Sequence, residues 1–210
     1  STLTTKVTAL TNATGTNPDN HSHYNYNLRG AVKDAIEAYG TTLASTTSYT
    51  YNPFGEAATQ TSPVDATRSL ATSFTYDRRG LLTQTVRDAN ALGGLNLKET
   101  KTYDAFGRLK TSADANIRTT TYTYDRLGRQ VSVRDPLAHT RSTTYDAFAR
   151  TLTETDALNQ VTTYSYNDTN RSFTITTAEG VKTTTAQNRH GQTVAYTDGN
   201  GNTTNYAYDK

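Results

Sequence analysis

The chain has 210 residues, 33% of them hydrophobic, a formal net charge of +2 and no Cys, Met or Trp. That balance excludes disulfides, cysteine-ligated zinc and thiol nucleophiles, and its scattered Lys and Arg form no basic stripe of the kind nucleic acid needs. The 15 Tyr and abundant Thr argue against disorder, because disordered chains are poor in aromatic and β-branched residues.

Residues 1–23 open on "STLTTKVTAL", which lacks the basic-then-apolar layout of a signal peptide. They are read as an N-terminal strand and loop or a divergent repeat. Within them His21 and His23 alternate on an extended segment and face one side, but nothing nearby supplies a third and fourth metal ligand. From Tyr26 a motif recurs: "YNLRG" at Tyr26, "YNPFG" at Tyr51, "YDRRG" at Tyr76, "YDAFGR" at Tyr103, "YDRLGR" at Tyr124 and "YDAFAR" at Tyr145. It continues as "YNDTNR" at Tyr166, "QNRHGQ" at Gln187 and "YDK" at Tyr208, giving nine copies. The spacing is 25, 25 and 27 residues over 24–102 and then 21 throughout 103–210. A fixed period of this kind marks a repeat architecture. Divergent repeats (24–102) and regular repeats (103–210) are read as one continuous repeat domain. Because the last residues, "YAYDK", fall inside a repeat motif, the chain is read as a segment of something longer.

Each repeat predicts a hairpin. The residue after the opening tyrosine is always Asp or Asn, and Gly stands three further on at Gly30, Gly55, Gly80, Gly107, Gly128 and Gly191. Asp or Asn can hydrogen-bond its own backbone two residues on, and Gly supplies the positive φ that closes the turn. Ala149 and Asn170 break the glycine rule, so Ala149 is expected to be the most strained copy. Strict alternation follows in "QVSVRD", "SFTITT" and "TVAYTD", the signature of a half-buried strand. A second turn is marked by Asp114, Asp135, Asp156 and Asp198, and a return strand such as "TTTYTYD" brings up Tyr122 and Tyr124 on one face. "AVKDAIEAYG" (31–40) could pass for a short helix, but it sits in frame as a strand. The expected fold is all-β: tandem antiparallel hairpins forming a curved, spiralling sheet, part of a shell or an extended strip. Equivalent residues would recur every ~9.6 Å along it. Tyr with Val, Leu and Phe should line one face, Thr much of the other, and the turn Asp and Arg residues should form opposed ladders.

The residues expected to define the repeats are Tyr76, Asp77, Gly80, Tyr103, Asp104, Gly107, Arg108, Tyr124, Asp125, Gly128, Arg129, Tyr145, Asp146, Arg150, Tyr166, Tyr208 and Asp209. No catalytic, cofactor or metal residue is assigned. "DGNGNT" at Asp198–Thr203 resembles the start of a calcium loop, but the twelfth position is Asp209 of the next motif and no helices flank it. His139 and His190 lie in or beside turns, and no elbow or oxyanion loop marks a Ser–His–Asp set.

"YTYDRLGR", "KTYDAFGR", "TTYDAFAR" and "DPLAHTRSTTYD" resemble the Rhs/YD-repeat family. The likeness covers residues 74–210 well and 24–73 loosely. It implies hairpins spiralling into a strip that often closes into a hollow shell, as in Rhs toxins, Tc toxin components and teneurins. In the bacterial toxins the shell encloses a toxin polypeptide, and an aspartyl-protease-like core cuts it free. The implied role of this segment is non-catalytic casing in a secreted or cell-surface bacterial protein, with any enzyme elsewhere in the parent chain. Expected partners are flanking YD repeats of the same chain or other copies of it, and an enclosed polypeptide; no cofactor, nucleic acid or membrane insertion is expected. The alternatives are an adhesin or glycan-binding surface, since tyrosines beside Asn, Asp and Thr suit sugars, and a fibre built by pairing of open hairpin edges.

Overall fold

The computed structural model describes residues 22–40, 42–65, 67–89 and 94–209. His21 and most of the expected N-terminal segment 1–23 lie outside these residues. The described residues hold seventeen β-strands and no helix. Two compact units divide the chain, one ending at Arg118 and the other beginning at Thr119. The first contains β1 (His23–Tyr26), β2 (Val32–Glu37), β3 (Ser45–Tyr51), β4 (Ala57–Pro63), β5 (Ser69–Tyr76), β6 (Leu82–Arg87), β7 (Leu97–Tyr103) and β8 (Leu109–Ala113). The second contains β9 (Thr119–Tyr124), β10 (Gln130–Arg134), β11 (Thr140–Tyr145), β12 (Thr151–Thr155), β13 (Val161–Asn167), β14 (Ser172–Thr176), β15 (Lys182–Gln187), β16 (Thr193–Thr197) and β17 (Thr203–Asn205). Within each unit every strand pairs antiparallel with the next in sequence, a meander. The segment Val32–Glu37 is strand β2, as its frame in the repeat requires.

Cross-strand partners share a face, and the two faces differ in chemistry. In the second unit one face pairs Tyr122 with Val133, Tyr164 with Ile175 and Tyr166 with Phe173. The other pairs Thr123 with Ser132, Ser132 with Ser142, and Thr144 with Thr153. Hydroxyls bond to one another across the ladder in each unit: Thr50–Thr59 at 2.7 Å and Thr102–Thr111 at 2.6 Å in the first, Thr144–Thr153 at 2.7 Å and Thr197–Thr203 at 2.8 Å in the second. Such pairs stabilise a sheet modestly, each by about 0.2–1 kcal/mol. No described residue is buried. The meanders are single layers, with no second sheet or helix packed over either face among the described residues.

One five-residue turn recurs at both hairpin ends, except in the β2–β3, β4–β5, β6–β7 and β13–β14 connections. At the YD end the amide of Asp77 donates to Leu81 O (2.9 Å) and that of Gly80 to Asp77 O (3.0 Å). At the opposite end Asp135 N donates to His139 O (2.9 Å) and Ala138 N to Asp135 O (3.0 Å). A three-residue loop of this type puts its fourth position in the left-handed region, where Gly80 and Gly128 sit at φ 80° and 87°. Non-glycine residues pay for that φ, and Ala149 does so at 65°. The strain is not confined to Ala149, however. The second set of turns places Ala138 (φ 71°), Asn159 (φ 62°) and the β-branched Ile117 (φ 64°) in the same position, so Ile117 is the more costly case. Left-handed backbone costs an L-residue roughly 1–2 kcal/mol. Ile117→Gly and Ala149→Gly are each expected to raise stability by about 1 kcal/mol, read as a higher urea midpoint. An unchanged or lower midpoint in both would show that the turns carry no such strain.

Candidate functional site

The site the sequence singles out is the row of YD turns, and the aspartate is its organiser. In the turn 125–129 one carboxylate oxygen of Asp125, Oδ1, accepts the amides of Leu127 (2.9 Å) and Arg129 (3.0 Å). The other, Oδ2, accepts Arg129 Nε at 2.6 Å. Asp104 treats Phe106, Arg108 and the Arg108 guanidinium identically, and Asp146 treats Phe148, Arg150 and the Arg150 guanidinium identically. Asp77 uses Arg79 instead, because Leu81 occupies the later position. In place of the expected opposed ladders, each of these Asp residues pairs with an Arg of its own turn, and Arg150 also pairs with Asp168 of the next repeat. Four residues of reach suit a guanidinium to the carboxylate that already caps its own backbone. Partial desolvation pushes the carboxyls of Asp104, Asp125 and Asp146 up, but the turn amides and the paired arginine outweigh it and hold each below the usual carboxylate range.

The tyrosine has a separate duty. Each YD hairpin but one carries a bulge just past the turn: Tyr76 faces Leu82 while Thr75 faces Gln84, leaving Thr83 extra. Val131 and Leu152 are the extra residues in the hairpins of Tyr124 and Tyr145. A bulge disrupts the ladder locally, and the tyrosine of the following repeat donates its hydroxyl to the carbonyl beside it. Tyr103 Oη reaches Leu82 O at 2.8 Å, Tyr145 reaches Gln130 O at 3.1 Å and Tyr166 reaches Thr151 O at 2.9 Å. Tyr51 reaches Val32 O and Tyr208 reaches Thr193 O in the same way. The exception confirms the logic. The β13–β14 hairpin, built on "YNDTNR", pairs without a register break from Thr163 to Asn167. The next repeat is the one that carries Gln187 in place of tyrosine, and there the backbone amide of Gln187 donates to Arg171 O at 2.9 Å.

Arginine ties one turn to the next. Arg129 Nη1 donates to Asp146 O (3.0 Å), Arg79 Nη1 to Asp104 O (2.6 Å) and Arg29 Nη1 to Pro53 O (2.8 Å). The guanidinium of Arg129 lies 4.6 Å above the ring of Tyr145, and that of Arg150 lies 4.2 Å above Tyr166. The turn tips point outward with apolar side chains: Phe54, Phe106, Leu127 and Phe148 on the YD edge, Leu137 and Leu158 on the other, all at least 73% exposed.

The remaining sequence candidates resolve into the same framework. Asp198 Oδ1 accepts the amides of Asn200 (2.9 Å) and Asn202 (2.8 Å), the same cap as in the YD turns. His139 takes the arginine position of its turn, with Nδ1 2.9 Å from Asp135 Oδ2. His23 stacks on Tyr39 at 4.3 Å between ring centroids and contacts Asn25 Oδ1 at 3.2 Å. Among the described residues no group of three His, Asp or Glu side chains is placed to hold a metal ion. Tyr76, Gly107, Gly128 and Tyr124 serve turns or strands, and Asp209 opens the last motif beyond β17.

A family model described as the RHS repeat matches residues 103–140. No curated protein matches the chain. Among solved structures, a TcdB2-TccC3-Cdc42 crystal structure matches 87% of the chain with a TM-score of 0.58 and 15% identity. The TcdB2-TccC3 structure matches 88% with a TM-score of 0.57 and 16% identity. A third match is the Photorhabdus luminescens Tc holotoxin pore with a mutated TccC3, at 13% identity and a TM-score of 0.44 over 87% of the chain. The chain spans only 11–12% of the length of these neighbours. The first two share their fold with this chain.

Proposed function

We propose that this chain is a non-catalytic section of an Rhs/Tc-type β-shell, one continuous repeat domain walling in a polypeptide cargo within a secreted bacterial protein. The observation that carries the reading is the absence of any buried residue among those described. A single-layer meander has no core to shape an active site, and it gains stability repeat by repeat, as a wall does. Its hydroxyl-covered face presents Thr and Ser already bonded to each other, a surface that offers an enclosed chain few free partners. Terminal strands β1 and β17 each pair on one side only among the described residues, which suits continuation into further repeats. The fold shared with the TcdB2-TccC3 structures supports the same role.

The test is negative-stain electron microscopy of the full-length protein that contains this chain, followed by limited proteolysis. Hollow particles with internal density, and a cargo segment cut only after the shell is opened with denaturant, are expected. Extended ribbons with every segment equally accessible to protease would overturn the shell and favour a fibre assembled through open strand edges.

A further inference from the structure

Asn27 and Asn52 already replace the turn Asp in the first unit, and in the second unit two neighbouring repeats, at 166 and 187, do the same and change the charge of the turn row. In the regular turns an Asp neutralises an Arg of the same loop. At 167 and 188 the Asp is replaced by Asn, and Asn188 pairs its amide with Gln192 (2.7 Å) where an Asp–Arg pair would stand. The arginines of these two repeats sit elsewhere. Arg171 lies at the end of a four-residue loop with φ 47°, and Arg189 lies at a turn tip. Among the described residues neither forms an ion pair, and Arg189 donates from Nε to His190 Nε2 at 3.0 Å. The nearest carboxylate on the cleft wall, Asp168, is already held by Arg150.

These groups border a cleft of about 430 Å³ whose lining includes Arg150, Arg171, Arg189, Asn167, Gln187 and Phe173. Arg150 with Asp146 and Asp168 carries one negative charge, so Arg171 and Arg189, which form no ion pair among the described residues, leave the cleft region with a net charge of +1. We propose that this cleft binds an acidic polypeptide segment, with Arg171 and Arg189 each taking a carboxylate. A guanidinium holds a carboxylate through two parallel N–H donors, and both Arg171 and Arg189 line this one cleft. Asn167 and Gln187 also line the cleft, with Asn167 Oδ1 accepting the amide of Asn170 at 3.1 Å. A sugar would want an open aromatic platform, and the Tyr166 ring beside this cleft is covered by Arg150, with Phe173 tilted against it at 38°.

The proposal stands apart from the shell reading, because its test uses a free peptide on the intact protein. Titration calorimetry with a hexaglutamate peptide at low salt should show one site per chain that weakens as salt rises. Arg171→Ala/Arg189→Ala should weaken binding by at least about tenfold. Arg126→Ala/Arg134→Ala removes the same charge from elsewhere in the same unit and should leave it unchanged. Equal loss in both double variants would reduce the effect to net charge and overturn the site. Tighter binding of a sulfated oligosaccharide than of hexaglutamate would reassign the cleft to acidic glycans, and no binding of either would also overturn it. Apart from the exposed Arg189–His190 bond, no side-chain hydrogen bond of the ladder or turns is removed, so circular dichroism is expected to be identical in all variants.

Discussion

Arg129→Ala is expected to destabilise the unit 119–210 by about 2 kcal/mol, read from urea unfolding of the protein. Three interactions end together. Nε leaves Asp125 Oδ2, Nη1 leaves the backbone carbonyl of Asp146, and the guanidinium no longer covers Tyr145. The side chain is only 23% exposed, so these contacts are screened less than those of a surface pair. Hydrogen bonds to charged groups contribute about 1.5–3 kcal/mol, and an arginine over an aromatic ring about 0.5–1 kcal/mol at an exposed site. The sum is discounted because the freed groups regain water. Arg129→Lys should recover little, since an ammonium cannot serve Asp125 and Asp146 in one planar fork. A double-mutant cycle with Tyr145→Leu should show coupling of about 0.5–1 kcal/mol. Because Arg129 joins two turns, amide exchange should accelerate in both the β9–β10 and β11–β12 hairpins. Exchange limited to residues 124–130, or a Lys variant as stable as the parent, would show that the arginine serves its own turn alone.

Much of this fold was legible in the sequence because turn chemistry and strand period are local. "YDAFGR" states its turn almost completely: Asp104 caps, Gly107 takes the positive φ, and strict alternation follows. Other features were hidden because they are not local. The bulge past each turn leaves no mark in a stretch such as "QVSVRD", whose alternation looks unbroken although Val131 has no direct partner. The tyrosine hydroxyl acts on a carbonyl 15 or 21 residues back, so its role is invisible within one repeat. One signal did exist: Gln187 replaces tyrosine in the repeat that follows the irregular "YNDTNR". The second turns were marked by Asp alone, and their left-handed position went unread because Ile117, Ala138 and Asn159 stand where glycine would announce it. Likewise the charge pattern suggested ladders, since spacing along the strip was visible and the fold of Arg back onto its own Asp was not.

Acid should unfold this protein in a narrow window, and the steepness should report how many turns open. Asp77, Asp104, Asp125 and Asp146 of the YD turns, and Asp114, Asp135 and Asp198 of the opposite turns, all have carboxyls held below their ordinary value. For Asp135 the leading cause is the bond from His139; for Asp114 it is the backbone amide of Arg118. A carboxyl depressed in the folded state binds fewer protons there than in the unfolded chain. Its contribution to stability is therefore complete above the unfolded value of about 4 and is lost as pH falls through the lower folded value. The urea midpoint should stay flat from pH 7 to about 5 and drop steeply below about 4. The slope of unfolding free energy against pH is proportional to the protons taken up on unfolding, so several caps titrating together make it steeper than one. Asp125→Asn keeps an oxygen for the two turn amides but removes the charge, as Asn188 does naturally with the amides of His190 and Gln192. That variant should start from a lower midpoint at pH 7 and lose part of the acid slope. A midpoint that does not move between pH 5 and pH 2.5 would mean that the carboxylates are replaceable caps, and that the repeat keeps Asp for a reason other than stability.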